Sequence, residues 1–172
     1  MIRLMGAVLV MGAALWWGAY FAAQEKYRLQ ELEELERAIL LLKSQIRYLS
    51  APLPEALESI GWKTEGLMGQ VFARAAGRMQ ERDSASAESI WEEVWQEEAV
   101  HTFLTAADLD AVFLFGKSLG YLDKEQQEGG IRLLLRYIEQ ALEQGRKRLE
   151  KNGRLYYGMG CLSGLLLVVT LL

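Results

Sequence analysis

The chain has 172 residues, 51% of them hydrophobic, and a formal charge of −4: long enough to bury a core, and too acidic to make nucleic acid an expected partner. One cysteine, Cys161, excludes a disulfide framework and a cysteine-rich metal site, and one histidine, His101, excludes a histidine cluster or dyad within this chain.

Leu4 to Ala23 reads LMGAVLVMGAALWWGAYFAA, without a charge, with Arg3 before it and Glu25 and Lys26 after it. At about 1.5 Å per residue such a helix reaches about 30 Å, the thickness of a bilayer's hydrocarbon core. A cleaved secretory signal fits less well, because bulky Tyr20 and Phe21 stand where the cleavage positions near Ala22 and Ala23 need a small residue. An uncleaved anchor over residues 1–23 is expected.

Leu32, Leu35, Ile39, Leu42, Ile46 and Leu49 then alternate steps of three and four, which predicts one amphipathic helix from about Gln24 to Leu49. Both prolines of the chain follow, in SAPLP. Pro52 and Pro54 lack backbone N–H groups and fit only before a helix or in its first turn, so a corner is expected here, with Ser50 as a cap and a short second helix closed by Gly61. A third helix is expected from Thr64, with Leu67, Val71, Phe72, Ala75 and Met79 inward. After the polar stretch RDSASAES, a fourth buries Ile90, Trp91, Val94 and Trp95 and turns Glu92, Glu93, Glu97 and Glu98 to water. Thr105 with Asp108 forms a capping pair for a fifth, whose apolar face is Leu109, Val112, Phe113 and Leu119 and whose end is Gly120. Asp123 with Gln126 starts a sixth, carrying Ile131, Leu134, Leu135, Ile138, Leu142 and Leu149.

The last segment, Leu155 to Leu172, is again uncharged, with Tyr156 and Tyr157 at the level of an aromatic belt. Every acidic residue, and every basic one except Arg3, falls between the two apolar ends. The positive-inside rule then places residues 24–154 in the cytoplasm and both termini across the membrane. The expected architecture is all-α: a helical bundle over 24–154, carried by transmembrane helices over 1–23 and 155–172. Arg146, Lys147, Arg148, Lys151 and Arg154 form a basic cluster beside the second span, suited to anionic lipid headgroups or simply to setting topology. Ala14, Gly18 and Ala22 recur every four residues, as do Gly160 and Gly164. Such stripes let helices approach closely in lipid, either within the hairpin or between chains as a homo-oligomer.

Chemistry is sparse. Ala111 to Ser118, AVFLFGKS, nearly matches a phosphate loop, but Ala111 replaces its first glycine, the interior is bulky and no strand precedes it. It reads as a core helix in which Gly116 admits a close neighbour. No G-x-S-x-G nucleophile motif is present, nothing pairs two glutamates in a pocket, and no cofactor or metal site is expected.

QIRYLSAPLPEAL (45–57) and FGKSLGYLDKEQQ (115–127), lying in that order between two apolar ends, resemble the stage III sporulation protein AB family of endospore-forming bacteria. The first motif has Ala51 where the family pattern carries threonine; the second fits F-G-x-x-L-G-x-x-D. The resemblance implies a non-enzymatic membrane platform in the complex that links mother cell and forespore, an assembly related to type II secretion. It also implies as partners a secretion-type ATPase, stage III sporulation protein AA, and other membrane proteins of the same operon. The residues expected to matter are those of the two corners: Tyr48, Pro52, Pro54 and Glu55, with Phe115, Gly116, Gly120 and Asp123. For each, a folding role as helix stop, helix start, close contact or cap stands beside the partner-binding one. The alternative function is a membrane-anchored scaffold that self-associates through the heptad helix.

Overall fold

The computed structural model describes residues 2–49, 51–81, 85–120 and 124–171, and the side chains of residues 20, 23–47, 51–81, 85–120 and 125–151. Among the described residues all regular structure is helical, with six α-helices: α1 (Ile2–Ser44), α2 (Leu53–Lys63), α3 (Gly66–Glu81), α4 (Ala87–Glu98), α5 (Ala106–Leu119) and α6 (Lys124–Leu171). Two compact units share α1 and α6, one formed by Met1–Tyr27 with Glu143–Leu172, the other by Arg28–Leu142.

The first unit consists of the outer parts of α1 and α6. Gln24 Nε2 donates to the Tyr20 hydroxyl at 2.7 Å, and Lys147 pairs with Glu143 at 2.6 Å, each across one helical turn. Among the described residues no helix is long and apolar enough to cross a membrane. The backbone is helical through nearly all of both apolar ends, but their side chains, Tyr20 and Ala23 excepted, lie outside the described residues, as do those of Ala14, Gly18, Ala22, Gly160, Gly164 and Arg154.

The second unit holds the core. The heptad stripe of α1 faces inward as its spacing predicts: Leu32, Leu35, Ile39 and Leu42 are each 0% exposed. The helix is not uniform to its end, because its last turn widens to π geometry over Gln45–Leu49 before the prolines. Pro52 stands at the N-cap of α2 (φ −53°, ψ 143°), its carbonyl accepting from the Ala56 N–H at 3.0 Å. Pro54 occupies the first turn, where a missing N–H costs nothing, and Glu55 beside it complements the helix dipole. Gly61 does not close α2, contrary to the sequence expectation; the helix runs on to Lys63. A Cβ at Gly61 would come within 2.8 Å of the Ala73 Cβ, so this glycine lets α3 approach rather than stopping the chain.

From there α3 packs along α2, α4 on α3 and α5 on α4. α3 starts at Gly66, two residues later than expected, and turns Met68 and Ala76 inward with Val71, Phe72 and Ala75, leaving Leu67 and Met79 half-buried. Ser86 caps α4, its hydroxyl accepting from the Ser89 N–H at 3.1 Å. Ile90, Trp91, Val94 and Trp95 are buried, as their spacing indicates. Glu98 was expected to face water and is instead buried, paired with Arg74 of α3. Beside it Arg78 hydrogen-bonds Glu97 at 2.7 Å and forms an ion pair with Glu93 at 3.2 Å, so the acidic face of α4 is partly an inter-helix seam.

Candidate functional site

The motif FGKSLGYLD divides between core and turn. Phe115 is 2% exposed and meets Trp91 edge to face, ring centroids 5.5 Å apart; Phe72 approaches the same indole at 5.3 Å. Trp91 Nε1 donates to the Val112 carbonyl at 3.0 Å, fixing the ring against α5. Gly116 is required there, because a Cβ would overlap the Trp91 ring. Gly120 ends α5 as expected, though with right-handed geometry (φ −78°) rather than the left-handed glycine cap. Asp123 lies outside the described residues, and so does the side chain of Tyr48.

At the other corner Pro52 and Glu55 are exposed at the start of α2, and Pro54 is half-buried. The structure therefore brings Phe115 and Gly116 together around Trp91, while Pro52, Pro54 and Glu55 belong to a different helix pair, α2 on α3. Of these residues Glu55 presents an exposed charged side chain; Phe115 and Gly116 are committed to packing.

A polar cluster that sequence reasoning missed joins α1, α5 and α6. Asp108, whose side chain is 0% exposed, receives Arg28 Nε on Oδ2 at 2.7 Å and the second guanidinium nitrogen on Oδ1 at 2.8 Å. Thr105 donates its N–H at 2.8 Å and its hydroxyl at 2.7 Å to the same carboxylate, and the Tyr137 hydroxyl donates at 2.8 Å. The Asp108 N–H returns to Thr105 Oγ1 at 3.4 Å, completing the reciprocal capping box. One residue thus caps α5 and neutralises a buried arginine.

Burial alone would raise the Asp108 pKa, but Arg28, Thr105 and Tyr137 outweigh it and hold the carboxyl below its usual range. Burial and the adjacent carboxylate push the Tyr137 phenol up to about 12. Close by, Glu31 Oε2 accepts the Phe103 N–H at 2.7 Å, and burial raises the Glu31 pKa. Donors saturate the carboxylate from three helices, so it has the chemistry of a structural joint rather than of a general base. Among the described residues no group of three His, Cys, Asp or Glu is placed to hold a metal ion. His101 is exposed in the 3₁₀ turn Ala99–His101.

Beyond the capping pair Thr105 and Asp108, sequence carried one further signal of this joint. Arg28 lies four residues before Leu32 on the heptad stripe, a base at a position that faces the core. Nothing in the spacing marks Tyr137.

A family model described as stage III sporulation protein AB matches residues 3–172. Stage III sporulation protein AB of Bacillus subtilis (strain 168) is 26% identical over 172 residues, covering 100% of both chains. A solved structure of a stage III sporulation protein AB superposes with a TM-score of 0.67 at 22% identity, covering 72% of this chain and 97% of that one. At that identity the superposition speaks to fold, while the family match spans nearly every residue: the chain belongs to the stage III sporulation protein AB family.

Proposed function

We propose that the chain is a non-enzymatic, two-pass membrane platform subunit of the mother cell–forespore channel complex required for endospore formation. Its central helical domain lies in the mother-cell cytoplasm and docks the secretion-type ATPase, stage III sporulation protein AA, beside the other membrane proteins of that operon. The observation that carries this reading is the continuity of α1 and α6: each runs as one helix from an uncharged end of the sequence into the bundle of residues 28–142. A domain carried on two such helices suits a subunit that holds a soluble partner at a membrane. Arg146, Lys147, Arg148 and Lys151, all exposed near the second apolar end, supply a basic surface for anionic headgroups.

The scaffold alternative required the heptad stripe to pair between chains. Leu32, Leu35, Ile39 and Leu42 are fully covered by the chain's own helices, so such pairing would need the bundle to open. Docking is tested by co-purification of the ATPase with the full-length chain in mild detergent. Wild type retains it, Glu55→Lys lowers retention, and Glu92→Gln, an exposed change on α4, leaves it unaltered. If wild type retains no ATPase, docking is wrong.

A further inference from the structure

On α1, the side opposite the core borders a groove of about 600 Å³, closed on its other side by the turn between α2 and α3. Glu34 and Arg37 line it from α1, Lys63 from the end of α2 and Glu65 from the turn. Arg37 Nε donates to the Glu33 carbonyl of its own helix at 3.2 Å, yet among the described residues none of these four charges is held in an ion pair. Leu40, in the groove, is 48% exposed, and Trp62, the residue before Lys63, is 84% exposed. The bundle therefore leaves beside this groove two acids and two bases unmatched, with a leucine and a tryptophan largely in water.

We propose that this groove is the contact through which two copies of the chain associate about a two-fold axis. A two-fold contact sets one patch against itself, so a charged patch must carry both signs in balance to complement its copy. Two acids and two bases do so, whereas a uniformly acidic or basic partner would meet like charge on half of the lining. Leu40 and Leu41, which line the groove, supply the apolar surface that charge alone lacks, and exposed Trp62 stands next in sequence to the lining residue Lys63, tryptophan being a residue type on which binding energy concentrates. The contact uses the face of α1 that the core leaves free, and it stands or falls independently of ATPase docking.

The test uses the full-length chain in detergent with Cys161→Ser and Ser44→Cys, the latter placing a thiol on the groove wall, and a long flexible bismaleimide. Two charge variants are made, Arg37→Glu with Lys63→Glu, and Glu34→Lys with Glu65→Lys. Circular dichroism checks that each keeps its helix. Wild type is expected to give a dimeric adduct, each variant alone to lose it, and the two variants mixed under different tags to regain it as a heterodimer. No wild-type adduct, an adduct that survives in either variant alone, an adduct only to a different protein, or failure of the mixture to recover would each overturn the proposal.

Discussion

Asp108 shows why a buried charge pair is strongly felt when broken. Asp108→Asn removes the carboxylate charge that Arg28, 10% exposed, engages through two nitrogens, a change expected to destabilise the fold by about 3–5 kcal/mol. Tyr137→Phe removes one donor while Arg28 and Thr105 remain, and should cost about 1–2 kcal/mol. Denaturant unfolding of both variants checks the order. The two groups also give opposite pH limbs. The folded pKa of Asp108 lies below its unfolded value of about 4, so its contribution is complete above that value and is lost as pH falls through the folded one. Tyr137 has a folded pKa of about 12 against an ordinary value of 10.0, so its contribution is complete below pH 10.0 and is lost as pH rises toward 12. Melting temperature against pH should therefore fall less steeply in acid for Asp108→Asn, and less steeply between those alkaline values for Tyr137→Phe. Of this joint the capping pair Thr105 and Asp108 was legible as a local spacing, while Arg28, a base in register with the apolar stripe, went unread. Tyr137 meets its partner across 29 positions, and no local pattern records such a contact.

Among the elements, α1 and α4 were legible because their inward arcs are almost purely apolar. In α5 the arc that faces the core is Asp108, Val112, Phe115, Gly116, Ser118 and Leu119. Three of these six are not hydrophobic, so an apolar reading shifts to Leu109 and Phe113, which the structure leaves half-buried. The same cause hid Glu98: an acid whose neutralising arginine comes from α3 looks, within α4 alone, like part of a solvated face. Glycine misled at Gly61 and informed at Gly116, because one residue type serves both helix ends and close approaches. Gly116→Ala forces the Trp91 ring off α5 and should cost about 1–3 kcal/mol by the overpacking mechanism, although alanine is the better helix former. A thermal melt with tryptophan fluorescence as the readout checks it. A higher melting temperature would mean that α4 and α5 have slack at that contact.

Across the whole molecule, helical periodicity and the absence of strand alternation announced an all-α chain, and the structural relative carries the same fold over 72% of it. Helix order followed from the corners and caps. Which helices meet through polar groups did not, because pairs such as Arg28 with Asp108 and Arg74 with Glu98 are set by tertiary packing. The proposed function rests on both ends of the chain crossing the membrane, with the intervening bundle on the cytoplasmic side. External protease on intact protoplasts of the sporulating cell is the direct measurement. The account expects residues 24–154 to stay protected until the protoplasts are lysed, whereas cleavage within the bundle from outside, before lysis, would contradict it.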